Sequence, residues 1–170
     1  MRESGSRAML YGLAATVFAV DRLTKWIIET RVSFYDSHVV IPGFFEIVHS
    51  ENQGAAFGLF AQSTSQLRTV LLVGFSVVAL VALVVMLWRS SRLDRKTGIA
   101  LALILGGAMG NVFDRVVREG GVTDFLLFYI GSYQWPAFNA ADSAIVIGSG
   151  LLLLDFIKFK RQPAHTQDVS

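Results

Sequence analysis

Two aspartates carry the first indication of chemistry in this chain. Asp124 lies in GGVTDFLLFYI (120–130) and Asp142 in FNAADSAIVIGSGLLLLDF (138–156), both among apolar residues. A carboxylate is costly to keep charged in such surroundings. Two carboxyl groups brought close at low dielectric cannot both ionise easily, so they share a proton. One can then act as a general base toward water while its protonated partner hydrogen-bonds a carbonyl. The 17 residues between them would let both lie at one depth, Asp124 closing a loop and Asp142 opening a helix. Asn139 precedes Asp142 by three residues, a spacing that equally suits an N-cap and a first-turn acid favoured by the helix dipole. The chain has no cysteine, so a thiol nucleophile is excluded. Its three histidines, His38, His49 and His165, form no ligand pair, so neither metal nor cofactor is expected.

The elements that must position these aspartates are membrane helices. Of 170 residues, 53% are hydrophobic and only 16% charged, and the mean hydropathy is +0.52. Soluble domains are nearer about 25% charged, and a bilayer core needs about 20 mostly apolar residues per helix. Four apolar segments meet that need: about 8–28, 67–88, 97–113 and 138–157. An all-α membrane protein with four transmembrane helices is therefore expected, as a single integral membrane domain over 1–170 with a disordered tail at about 162–170. Nine of the 15 basic residues fall on one side of four crossings: Arg2, Arg7, Arg89, Arg92, Arg95, Lys96, Lys158, Lys160 and Arg161. Basic residues collect on the cytoplasmic side, so both termini are expected there. The longer loops, about 29–66 and 114–137, then face outward. Within the first, VVIPGFFEIVHS (39–50) reads as short strands around a Pro-Gly break. Trp26, Tyr129, Tyr133 and Trp135 fall near the outer interface, where amphipathic rings anchor.

Other polar residues cluster toward the same ends of the spans. Asp21 and Lys25 share one helix face at i and i+4, as a structural ion pair or as part of a site. In GGAMGNVFDR (106–115), Gly106, Gly107, Ala108 and Gly110 form a surface for close helix packing. Asn111 and Arg115 lie one turn apart there and are costly to bury without partners. A proton-coupled carrier would place acids at several depths, yet the central thirds of the last three spans lack ionisable residues and Asp21 falls at the outward edge of that of the first. A non-catalytic assembly subunit would leave the two outer aspartates without a purpose.

Five ordered blocks closely resemble the bacterial lipoprotein signal peptidases, or prolipoprotein signal peptidase II: DRLTK (21–25), NQGAAFG (52–58), GGAMGNVFDR, VTDF (122–125) and FNAADS (138–143). The resemblance spans roughly residues 12–157. It implies a membrane aspartic endopeptidase with four transmembrane helices and an outward-facing β-rich cradle, in the bacterial inner membrane with its site near the outer face. Its substrate would be a prolipoprotein bearing diacylglycerol on a cysteine, cleaved just before that cysteine. Membrane lipid would be its setting, globomycin its inhibitor, and nucleic acid no partner. The family's catalytic pair maps onto Asp124 and Asp142, and its supporting positions onto Asp21, Lys25, Asn52, Gly54, Asn111, Arg115 and Asn139. Thr123 and Gln53 fall where the family varies.

Overall fold

A computed structural model describes residues 2–54, 65–89 and 94–160. The expected disordered tail at 162–170, Arg92, and residues 55–58 of NQGAAFG lie outside the described residues. The chain runs α1 (Arg2–Arg31), β1 (Ser37–Ile41), β2 (Phe45–Asn52), α2 (Ser65–Trp88), α3 (Arg95–Val117), β3 (Val122–Ile130), β4 (Tyr133–Gln134) and α4 (Ala140–Lys160). Among the described residues, three helical segments are long and apolar enough to cross a membrane: Thr69–Trp88, Arg95–Val117 and Ala140–Ile157. Their exposed side chains are mostly large and apolar, among them Val70, Phe75, Val78, Val146 and Leu153. Lipid, not water, suits such a surface.

The first expected span lies within α1, which carries Asp21, Arg22, Lys25 and Glu29 in its second half. The helix stays continuous because those charges fall on its protein-facing side or near its end. Asp21 and Lys25 are fully buried. The hydroxyls of Thr16, Thr24 and Thr30 fold back onto carbonyls four residues earlier, at 2.8–2.9 Å, so these β-branched residues leave no polar atom to lipid.

Helix α3 is central, packing against α1, α2 and α4 and touching β3. Its glycines set those distances. A Cβ on Gly106 would meet the Ala14 carbonyl and, 2.7 Å away, the Val17 side chain of α1. One on Gly107 would strike the Ala141 carbonyl of α4, and one on Gly110 the Asp21 carboxylate. The small-residue surface read in GGAMG therefore holds three backbones together at the level of the aspartates. Leu10 and Ala14 of α1, Leu87 of α2 and Leu101, Ala102 and Leu105 of α3 fill the interior toward the opposite end.

The sheet has the order β1-β2-β3-β4, every pair antiparallel. The strands expected around the Pro-Gly break are present: Gly43 adopts a positive φ of 69° and Phe44 N–H closes the turn on Ile41 O at 3.0 Å. The loop reading of 114–137 needs correction. Helix α3 continues to Val117, and Val122–Ile130 is a nine-residue strand, so Asp124 is a strand residue. Val122, Thr123, Asp124 and Phe125 are all buried, and a strand covered on both faces lacks the alternation that reveals a half-exposed one. The fourth helix begins at Ala140 and not Phe138, because Phe138 bridges to Leu126 of β3.

Gly107→Val should force α3 and α4 apart, at a cost of about 1–3 kcal/mol for an overpacked contact. Gly150, also in α4, has nothing within 4 Å of an added Cβ, so Gly150→Val should leave the protein as stable as wild type. Thermal unfolding in detergent checks both; equal Tm values for the two variants would contradict this packing.

Candidate active site

At the head of α4, Asn139 and Asp142 cap one another. Asp142 N–H donates to Asn139 Oδ1 at 2.9 Å and Asn139 N–H donates to Asp142 Oδ2 at 3.3 Å. This is a reciprocal capping arrangement, so the N-cap reading of that spacing is correct as geometry. It is not the whole of what these residues do. Asn139 Nδ2 donates to Asp124 Oδ1 at 2.7 Å, and Asn111 Nδ2 donates to Asp142 Oδ1 at 2.7 Å. A contact between Asn139 Nδ2 and Asn111 Oδ1 at 3.2 Å closes the network. Asp124 on β3 and Asp142 on α4 are thereby held by two amides, one of which caps the helix.

Asp124 is placed by its strand. A register shift in β2 between Ile47 and Ser50 precedes its pairing position opposite Ser50, and such bulges turn a side chain toward a site. Ser50 Oγ donates to Asp124 O at 3.1 Å. Asn52 ends β2 beside the carboxyl of Asp124, with its Oδ1 accepting Gly54 N–H at 3.0 Å. Gly54 has φ 87°, and a Cβ there would run into Leu72 of α2. Burial pushes the Asp124 carboxyl up to about 7, the Asp142 charge adds to the rise, and the Asn52 and Asn139 amides pull against it. Near neutral pH this carboxyl is thus divided between its two protonation states.

Beneath the aspartates is a buried ion cluster. Lys25 has no exposed surface, and its ammonium lies 2.8 Å from Asp21 Oδ2, 2.7 Å from Asp114 Oδ2 and 3.0 Å from Asn111 Oδ1. Two carboxylate oxygens and one amide oxygen thus surround the ammonium, the compensation that a buried cation requires. Asp21 Oδ1 also accepts the Ala141 N–H at 2.9 Å, tying α1 to the first turn of α4. Because Asn111 Oδ1 faces the Lys25 cation, its amide nitrogen is left to face Asp142.

Arg115 is half-buried on the same face of α3. Its Nη1 reaches Asn111 O at 3.5 Å, and its charge acts on Asp142, Asp124 and Asp114. All nine residues singled out in the sequence thus converge: Asp21, Lys25, Asn52, Gly54, Asn111, Arg115, Asp124, Asn139 and Asp142.

Five participants were not singled out as site residues. Asp114, 1% exposed, pairs with both Lys25 and Arg22, and the Arg22 guanidinium also lies 4.8 Å from the Phe113 ring centre. Glu29 accepts the Thr123 hydroxyl at 2.8 Å and pairs with Arg118 at 2.6 Å. The signal for Asp114 was its place three residues after Asn111, on one helix face. Thr123 sits where the family varies, yet here its hydroxyl ties the residue before Asp124 to α1.

The site is a pair of carboxyl groups in a buried polar network within apolar helices, the class of an integral membrane protein equipped for aspartic-type hydrolysis. The sequence profile of the signal peptidase (SPase) II family matches residues 13–158, and the chain belongs to that family of aspartic-type peptidases. A lipoprotein signal peptidase of Solibacter usitatus (strain Ellin6076) is 56% identical over 155 residues, covering 91% of this chain and 94% of that protein. One from Alteromonas mediterranea is 42% identical over 160 residues, covering 92% and 84%. A solved bacterial membrane enzyme structure, obtained by the in meso method, superposes with a TM-score of 0.82 at 31% identity over 96% of this chain and 95% of its own.

Lys25→Met keeps the length of the side chain but leaves Asp21 and Asp114 buried without their shared cation. Breaking a buried pair costs about 3–5 kcal/mol. We expect a large fall in Tm and in folded yield. A variant as stable as wild type would show that the cluster does not hold the helices together.

Proposed function

We propose that Asp124 and Asp142 are the catalytic pair by which this signal peptidase II family member removes signal peptides from prolipoproteins. The observation that carries this reading is the amide network. Asn111 and Asn139 each present an N–H to one carboxyl at 2.7 Å, holding the buried Asp124 and the half-buried Asp142 in one network. A capping role alone explains Asp142 but not Asp124, which no helix end requires.

Asp142 sits in the first turn of α4, where the helix dipole favours negative charge, and serves as the base. Asp124, which holds a proton up to about pH 7, serves as the acid. Asp142 takes a proton from water as the oxygen attacks the scissile carbonyl carbon, and Asp124 protonates the developing oxyanion. On collapse the C–N bond breaks and the leaving amine takes the proton from Asp142. Asp124 recovers its own proton from the former oxyanion. The signal peptide departs with a new carboxyl group, and the lipidated cysteine with a free amine. Arg115 supplies positive potential that lets the pair carry one negative charge. Lys25 and Asp21 act through Asn111 and the head of α4, and Asn52 and Gly54 support Asp124.

The substrate is a prolipoprotein carrying diacylglycerol on the cysteine after the cleaved bond. In this reading α1 is a fourth transmembrane helix, its charges buried against α3 and α4, within a single membrane domain over 1–170. Both termini are cytoplasmic, and the sheet and the aspartates lie near the outer face of the inner membrane. Globomycin blocks cleavage by occupying the same site.

Asp124→Asn and Asp142→Asn preserve shape and hydrogen bonding but remove proton exchange. Each should abolish cleavage of a diacylglyceryl lipobox peptide in detergent, with the double variant scarcely worse, because such effects are grossly non-additive. Appreciable turnover in either single variant would refute the pairing. The wild-type profile of kcat/KM should be bell-shaped. Its alkaline limb should fall as pH rises past about 7, where Asp124 loses its proton. Activity still rising well above that pH would contradict a shared proton.

A further inference from the structure

The peptide that joins Thr123 to Asp124 is gripped from both sides of β3. Side chains alternate across a strand, so Thr123 points away from the amide network that Asp124 faces. Behind the strand, the Thr123 hydroxyl donates to Glu29 Oε1 at 2.8 Å. In front, Asn139 Nδ2 donates to Asp124 Oδ1 at 2.7 Å and also reaches the Thr123 carbonyl at 3.3 Å. That nitrogen is shared with Asn111 Oδ1 as well, so an amide with two N–H groups serves three acceptors. The hold from the front is therefore divided. Thr123 has no exposed surface, and its hydroxyl has no water to turn to in place of Glu29.

Glu29 is itself fixed. Its carboxylate pairs with Arg118 Nη2 at 2.6 Å. Arg118 stands one residue past the end of α3, its N–H still bonded to Asp114 O at 2.8 Å. From there the chain turns tightly into β3. Glu119 and Gly120 both take positive φ, 52° and 105°, and Gly121 N–H returns to Arg118 O at 3.0 Å. The Thr69 hydroxyl of α2 donates to Glu119 O at 3.0 Å. One carboxylate thus joins α1, the end of α3 and the start of β3, the elements that carry Lys25, Asn111 and Asp124. The guanidinium sets its direction, and a charged acceptor holds a hydroxyl about twice as strongly as a neutral one.

We propose that Glu29 and Thr123 are positioning residues for the hydrolysis, an assignment that rests on the functional reading above. Through the hydroxyl bond they fix where the Thr123–Asp124 peptide sits, and so the distance of the Asp124 carboxyl from Asp142 and from the scissile carbonyl. Both act through Asp124. Asn139 holds the peptide from the front with a shared nitrogen, and the bond behind it removes the remaining freedom. A displacement of about 1 Å at a reacting group costs up to about a hundredfold in rate. A tie that served stability only would leave each folded molecule fully active.

The test follows cleavage of a diacylglyceryl lipobox peptide by the full-length enzyme in detergent, per folded molecule, with Tm recorded for every variant. Thr123→Val exchanges the hydroxyl for a methyl group at nearly constant shape. It should lower kcat about tenfold and leave KM within about twofold of wild type. Thr123→Ser keeps the hydroxyl and should recover most of that kcat. Glu29→Met removes the acceptor from the other end and frees Arg118, whose side chain is 28% exposed, to turn to solvent. It should lower kcat about as much as Thr123→Val, and the double variant should be no slower than either, because contacting residues on one route are not additive. Glu29 is only partly buried, so Glu29→Met decides the matter even where Thr123→Val does not fold. Wild-type kcat in either single variant, whatever its Tm, would overturn the proposal, as would additive losses in the double variant. Equal losses in Thr123→Val and Thr123→Ser, or a rise in KM at unchanged kcat, would overturn it too. If wild type leaves the lipidated peptide uncut, the functional reading fails and this assignment falls with it. Ordinary wild-type turnover with unaltered variants removes the positioning assignment alone.

Discussion

The ammonium of Lys25 has no contact with solvent, yet it meets Asp21, Asp114 and the Asn111 carbonyl within 3.0 Å. A buried charge of this kind persists only if every partner is in place, so the cation sets the relative positions of α1 and α3. Asp21 then reaches on to the Ala141 N–H of α4. Asn111, its oxygen claimed by the cation, turns its nitrogen to Asp142. Each step from the ion cluster to the carboxyl pair is a hydrogen bond with its donor direction fixed by the one before. The close backbone approach at Gly107 and Gly110 permits this, since the polar chain spans only the short gap that absent side chains leave.

This arrangement divides the protein into two chemical halves. Toward one end the helices touch through Leu10, Leu87, Leu101 and Leu105, packing that needs no polar partner. Toward the other, charge and amide groups occupy the interior and the sheet closes over them. The aromatic stack of Phe45, Phe128 and Phe138 joins that sheet to the head of α4. Asp124 is thus rigidly carried by a strand and Asp142 by a capped helix, as preorganised chemistry requires. Capping and the proposed catalytic role are compatible in Asp142, because Asn139 caps through its backbone N–H and its Oδ1, leaving its amide nitrogen for Asp124.

Much of this was legible in the sequence. The apolar segments gave α2, α3 and α4 to within a few residues, and the Pro-Gly break gave β1 and β2. Polar and charged residues in apolar surroundings pointed to Asp21, Lys25, Asn111, Arg115, Asp124, Asn139 and Asp142, because burying them without function or partners is costly, whereas Asn52 and Gly54 were marked only by the family resemblance. Strand β3 was hidden because both its faces are covered near Asp124, which leaves an apolar run with no period of two. Asp114 and Arg22 escaped notice for a different reason. They stand beside residues already chosen, Arg115 and Asp21; the spacing from Asn111 put Asp114 on the right helix face, but nothing local marked Arg22 as its partner. The pairing of Thr123 with Glu29 is a long-range contact between a strand and α1, which local spacing cannot reveal.

The central claim is that Asp124 and Asp142 act as one unit sharing a proton near neutral pH. Difference infrared spectroscopy of the purified protein, titrated across neutrality, observes that proton directly through the carbonyl stretch of a protonated carboxyl group. The account predicts a buried carboxylic acid band that disappears with a midpoint at about pH 7 and is lost in Asp124→Asn. A spectrum with no such band near neutral pH, or a band that persists unchanged in Asp124→Asn, would contradict it.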